Sequence, residues 1–282
     1  MTIRIVTDSA CDVPQHLAEA YGITVVPVYV NIGQESYLDG VDISRHDFYK
    51  NLYSYPTPPT TAAPASGAFT EAYETLAAAG ASEILSLHIA SSLSNTFNAA
   101  RLGAEAAEGV AVTLFDTQQV SMGGGLLVLL AAEAAAAGSS MAQIVAMLEK
   151  RVSRTRVIGM LDTLESLRYS GRVSWATFGF GTLLQIKPIM VVANGVVDVA
   201  ARVRTRKRAV AHLLEMVADG APFERLAIIH VAAMEAAAEL QQQVAHLFPA
   251  GIEPIIMELT PAIGAHFGLG AVGFAYVTIN GG

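Results

Sequence analysis

The chain is poor in charge and nearly devoid of cysteine. Asp, Glu, Lys and Arg make up 15% of its 282 residues, against about 25% in ordinary soluble domains. Its 17 Lys and Arg stand against 25 Asp and Glu, a net charge of −8 with a pI near 5.3. Such a chain has no global field that draws it onto phosphate backbones, so nucleic acid is not an expected partner. The single Cys11 closes no disulfide within the chain and builds no cysteine-type zinc site. The seven histidines show neither H-E-x-x-H nor another tight ligand spacing, and no metal or other cofactor is expected. An uninterrupted apolar run of about 18 residues, the length a membrane span needs, is also missing. The nearest approach, Met122 to Gly138, starts among glycines and carries Glu133, which reads as a buried Ala-rich helix. The opening MTIRIVTDSACDVPQ puts Asp8 and Asp12 where a secretory signal has its apolar centre, so a cytoplasmic protein is expected.

What the chain does have is apolar bulk: 52% hydrophobic residues and a mean hydropathy of +0.44. Short β-branched runs at Ile3 to Thr7, Thr24 to Val30, Glu83 to Ile89 and Val110 to Phe115 alternate with segments of helical period. That alternation predicts βαβ units around a mainly parallel sheet. Helix starts are signalled by Pro14, Ser44, Ser66 and Ser94, residues that cap or open a first turn. The segment Tyr55 to Gly67, YPTPPTTAAPASG, holds four of the eleven prolines and predicts a constrained, irregular loop that delivers Thr60 and Thr61.

The texture changes near Arg151 to Arg154, which divides the chain into residues 1–153 and 154–282, both of α/β class. In the second part, strands at Gln185 to Val192 and Val196 to Val203 meet at Asn194-Gly195, a strong hairpin signal. Its sheet is therefore expected to be mixed, with antiparallel pairs. Further strands are expected at Leu226 to Val231, Glu253 to Leu259 and Gly270 to Ile279, and two short helical pieces around Ser170 and Gly171.

Four segments can carry chemistry. In IASSLSNTFNAA a strand ends in Ser91 and Ser92 and a helix begins after Ser94; hydroxyls and free N–H groups there suit a carboxylate or phosphate, and Ser94 serves equally as a plain helix cap. Thr60 and Thr61 sit rigidly between prolines, and fixed hydroxyls suit a fixed ligand group. His266 lies among glycines before an apolar strand, and Arg172 follows the turn at Ser170-Gly171, beside Arg168. The triple glycine at 123 to 125 has no Lys behind it and matches neither a Walker A loop nor a G-x-G-x-x-G fingerprint. The basic stretch Arg202, Arg204, Arg206, Lys207, Arg208 reads as a solvated strand end, or as a face toward an acidic partner or membrane surface.

Together the segments resemble the DegV family of bacterial fatty-acid-binding proteins, called FakB where a fatty acid kinase accompanies them. The resemblance rests on I-V-T-D-S at 5 to 9, P-T-T before Ala62, S-S-L-S at 91 to 94, F-D-T at 115 to 117, S-G-R-V-S at 170 to 174, G-T-L-L-Q-I-K-P-I at 181 to 189, R-V-R-T-R-K-R-A at 202 to 209 and A-H-F-G around His266. It implies two α/β domains with a long-chain fatty acid such as palmitate or oleate between them, tail in a tunnel of the second domain and carboxyl at the junction. It further implies that Thr61 and Ser92 hydrogen-bond the carboxyl while Arg172 and His266 support it. The protein would then be a carrier without catalytic activity of its own, presenting the carboxyl to a separate kinase. The competing reading from the residues is an acyl hydrolase or transferase built on Ser92 and His266.

Overall fold

The computed structural model describes residues 2–163, 167, 171–172 and 186–279. In chain order the strands and helices are β1 Ile3–Asp8, α1 Gln15–Tyr21, β2 Thr24–Val26, β3 Tyr29–Ile32, β4 Glu35–Leu38, α2 Arg45–Asn51, β5 Thr60–Ala62, α3 Ser66–Ala78, β6 Glu83–His88, α4 Thr96–Ala106, β7 Ala111–Asp116, α5 Ser121–Ala136 and α6 Met141–Val152. There follow β8 Thr155–Met160, β9 Lys187–Ala193, β10 Val196–Val203, α7 Arg206–Asp219, β11 Phe223–His230, α8 Met234–Gln243, β12 Ile255–Glu258, α9 Pro261–Phe267 and β13 Val272–Thr278. In the region where helical pieces are expected around the turn at Ser170 and Gly171, residues 164–166 and 168–170, Arg168 among them, and the stretch 173–185 lie outside the described residues.

The class is α/β. Strands β2-β1-β6-β7 form a sheet in which every pair is parallel. β1 and β6 are buried along most of their length, which is why they read as nearly continuous apolar runs. Strands β10-β9-β8-β13-β11-β12 form the mixed sheet, antiparallel except for the β11–β12 pair. The Asn194-Gly195 hairpin forms as its sequence predicts, with both residues at positive φ, 50° and 75°, the twist a two-residue turn needs.

Two expectations are corrected. The run Thr24 to Val30 is not one strand: β2 pairs with β1 and, after Pro27, β3 joins a separate antiparallel sheet of order β4-β3-β5. The proline removes a ladder donor between the two pieces and lets the chain change sheets. Nor is the Pro-rich segment wholly irregular: Thr60–Ala62 is an edge strand paired to β3, with Thr61 opposite Val30. It fits between Pro59 and Pro64 because three residues paired on one side require few ladder donors.

Helix α5 joins the two large sheets. It is buried without a break from Ser121 to Ala132 and belongs to a core cluster that draws on β1, β6, β8, β11 and β13. Its glycines are packing surface and not a phosphate loop. A Cβ at Gly125 would lie 2.4 Å from the Cys11 carbonyl oxygen, and one at Gly123 would lie 2.6 Å from Val157 Cγ2. Any larger residue would push the helix off the turn that follows β1 and off β8. Among the described residues, no helix is long and apolar enough to cross a membrane.

Candidate functional site

Where the segments before and after residue 153 meet, a cavity of about 320 Å³ opens, within the usual small-molecule range of roughly 300 to 1,000 Å³. Most of its lining is apolar: Ala10, Val28, Ile89 and Val120 from the turns that follow β1, β2 and β6 and precede α5, Met190, Val192 and Val197 from the β9–β10 hairpin, and Ala262, Ile263 and Phe267 from α9. Its described polar lining is Thr61, Ser94, Asn95, Arg172 and His266. An apolar chamber with polar groups gathered in a few segments suits a ligand that is mostly hydrocarbon with one polar end.

Strand alternation selects Thr61 over Thr60. In β5 the two outer residues are exposed and the middle one is turned inward, because successive side chains leave a strand on opposite faces. The Thr61 hydroxyl oxygen then lies 3.1 Å from His266 Nε2. His266 arrives from the other part of the chain on α9, whose start is held in three places. Asp12 accepts the Thr260 N–H at 2.7 Å, Asp39 accepts the Ala262 N–H at 3.4 Å, and the Tyr49 hydroxyl donates to the Leu259 carbonyl at 2.6 Å. Gly264 lets the Tyr49 ring lie flush on the helix, since a Cβ there would stand 2.1 Å from the hydroxyl oxygen.

Electrostatics keep the imidazole neutral. Burial, and secondarily the Arg172 charge, push His266 from its usual 6.5 down to about 4, because a desolvated imidazolium beside a guanidinium is doubly disfavoured. Burial also lowers Arg172 itself, although it keeps contact with solvent. In the tautomer that carries its proton on Nε2, His266 donates to Thr61 and the threonine O–H is left to donate to a ligand oxygen. Asp12 is pushed the other way, up to about 7 by burial, against the pull of Ser121, Arg45 and the Thr260 N–H.

Of the four residues expected at the site, Thr61, Arg172 and His266 share the cavity. Ser92 sits elsewhere: its hydroxyl donates to the Gly195 carbonyl at 2.6 Å, and Ser94, two residues on, lines the cavity in its stead. Ser94 also accepts the Thr96 N–H at 3.2 Å, but the N-cap position of α4 is Asn95, which makes no side-chain cap bond, so the expected capping by Ser94 is corrected. The hydrolase pairing is not assembled, since His266 is engaged with Thr61 and Ser92 with Gly195. Sequence reasoning missed Asp12, Asp39 and Tyr49 as the holders of α9. Asp12 lies in the run D-S-A-C-D, whose spacing reveals nothing of a partner some 250 residues away.

Comparison with known proteins places these features in context. The family model described as "Uncharacterised protein, DegV family" matches residues 2–278. A DegV domain-containing protein of Deinococcus radiodurans is 40% identical over 98% of each chain. A solved structure described as fatty acid binding of a DegV family protein from Thermus thermophilus superposes with a TM-score of 0.90 at 34% identity, covering 99% of this chain and 100% of that one. DegV of Bacillus subtilis, described as a fatty acid binding protein, gives a TM-score of 0.88 at 30% identity, with 99% of each chain covered.

Proposed function

The chain belongs to the DegV family, and on that premise we propose that it binds a long-chain fatty acid, with the tail in the apolar cavity and the carboxyl at Thr61, Ser94 and His266. One observation carries the reading: the Thr61–His266 pair, 3.1 Å apart, stands on the wall of a chamber otherwise lined mostly by aliphatic side chains. Arg172 on the same wall favours the carboxylate over the acid by its charge. The fatty-acid binding described for the Thermus and Bacillus proteins supports the assignment.

The energetics divide by ligand part. A tail of about fifteen methylenes gains roughly 0.8 kcal/mol each on burial, on the order of 12 kcal/mol before the costs of association. Two or three hydrogen bonds add about 0.5 to 3 kcal/mol each and set the register and the head-group chemistry. The tail therefore sets affinity and the polar pair sets identity.

Ser92 and His266 are engaged with other partners and not with each other, which favours a carrier over a hydrolase built on that pair. In that role the protein presents its carboxyl at the meeting of residues 1–153 and 154–282 to a separate kinase or to lipid metabolism. The exposed Arg202, Arg204, Lys207 and Arg208 supply a basic face for an acidic partner or, transiently, a membrane surface. Lipid extraction and mass identification from protein made in bacteria test the reading. A copurifying fatty acid in near-equal amount is expected; a delipidated protein that takes up neither palmitate nor oleate overturns it.

A further inference from the structure

The β9–β10 hairpin forms the cavity wall at one edge of the mixed sheet. Met190, Val192 and Val197 face the cavity from it, and among the described residues β10 is the outermost strand, paired on one side only. Its tip is tied to the opposite layer. The Gly195 N–H donates to the Gln118 carbonyl at 2.8 Å, and the Ser92 hydroxyl donates to the Gly195 carbonyl at 2.6 Å. Both backbone polar groups of one tip residue are thus taken up by the loops that follow β6 and β7.

Those loops are braced against each other. Asp116 accepts the Ser91 hydroxyl at 2.5 Å and the Gln118 N–H at 2.8 Å, so the two residues that grip Gly195 come from one ordered unit. The tip requires glycine twice over: its φ is 75°, and a Cβ would stand 2.9 Å from Ser92 Oγ. Directly after Ser92 the loop continues into Leu93, Ser94 and Asn95, which line the cavity. The tie therefore joins the two walls between which the ligand lies.

We infer that Ser92, together with the Gln118 carbonyl, is a catch that holds the hairpin tip shut over the cavity and sets how fast the fatty acid enters and leaves, without touching it. This rests on the fatty-acid reading above. Two hydrogen bonds at a partly exposed tip are readily broken, and release leaves the strands of the hairpin paired to each other and to β8. The catch closes the wall whether or not ligand is inside. Loosening it eases opening in both states, so association and dissociation accelerate together and affinity stays put. A residue that binds the carboxyl behaves otherwise, speeding dissociation and weakening affinity when it is removed.

Stopped-flow kinetics with a fluorescent long-chain fatty acid analogue separate these cases. Ser92→Ala is expected to raise both rate constants about tenfold, the worth of one lost hydrogen bond, with Kd within about twofold of the parent. Thr61→Ala is expected to raise only the dissociation rate. Dissociation alone accelerated in Ser92→Ala, with weakened affinity, overturns the inference and makes Ser92 a ligand group; unchanged rates overturn it as well. Amide exchange at Gly195 in ligand-free protein reads the catch directly and should quicken in Ser92→Ala; no change there also counts against it. Because that measurement needs no ligand, a parent protein that binds no fatty acid yet shows quickened exchange in Ser92→Ala refutes the function and leaves the catch standing. Should Ser92→Ala not fold, Ser92→Cys, which keeps the size of the side chain and weakens its donor, is expected to give the same pattern in smaller measure.

Discussion

Thr61 Oγ1 and His266 Nε2 meet at 3.1 Å across 205 residues of chain. Neither residue can make the site alone: the threonine sits on a three-residue edge strand and the histidine near the end of a short helix. The tautomer of the ring sets which of the two donates. A neutral imidazole that donates to the threonine leaves the threonine as donor to the ligand, and the consequences can be measured.

Thr61→Ala should weaken fatty acid affinity about tenfold, as one hydrogen bond of about 1.4 kcal/mol is lost. Ser94→Ala should do likewise, whereas Ser92→Ala should not. Equilibrium titration of delipidated protein decides the order of the three.

His266 should titrate near pH 4 in ligand-free protein, and a bound carboxylate should raise that value by offsetting the Arg172 charge. The sign for stability follows. Between about 4 and 6.5 the unfolded chain takes up a proton that the folded protein refuses, so stability falls as the pH drops through that window. His266→Gln should flatten the slope there. Nuclear magnetic resonance titration of the histidine and urea unfolding across pH check both halves; a ligand-free titration near 6.5 contradicts the burial argument.

Asp12 should show the opposite dependence. Its carboxyl is pushed up to about 7, so the folded protein holds a proton that the unfolded chain has released above about 4, and stability falls as pH rises toward 7. Asp12→Asn keeps an acceptor for the Thr260 N–H and removes the buried charge. The variant should gain in urea midpoint relative to its parent at pH 8 and gain little at pH 5.

Gly264→Ala should destabilise the protein by about 1 to 3 kcal/mol, since the new methyl would stand 2.1 Å from the Tyr49 hydroxyl oxygen. Because α9 carries His266, Ile263 and Phe267 into the cavity, ligand retention should drop with it. Tyr49→Phe, which removes the bond to the Leu259 carbonyl but keeps the packing, should lose stability and retain more affinity than Gly264→Ala. Thermal unfolding and ligand titration of the two variants provide the check.

Much of the architecture is written in local pattern. The buried strands β1 and β6, the helix α5 and the Asn194-Gly195 turn each follow from residues within a few positions of one another, where periodicity, burial and backbone preference act. The collinear motifs likewise suffice to place the chain in its family. The choices at the site belong to the tertiary structure. Whether Ser92 or Ser94 turns to the cavity depends on the hairpin tip that claims Ser92 from 103 residues away. Thr61 is chosen over Thr60 by the face it takes in the strand paired to β3, and the glycines of α5 acquire their meaning only from Cys11 and Val157 lying against them. Composition and spacing can supply a hydroxyl, an imidazole and a flexible turn. Only long-range packing and desolvation determine which hydroxyl faces the ligand, which closes the wall and which protonation state the imidazole keeps.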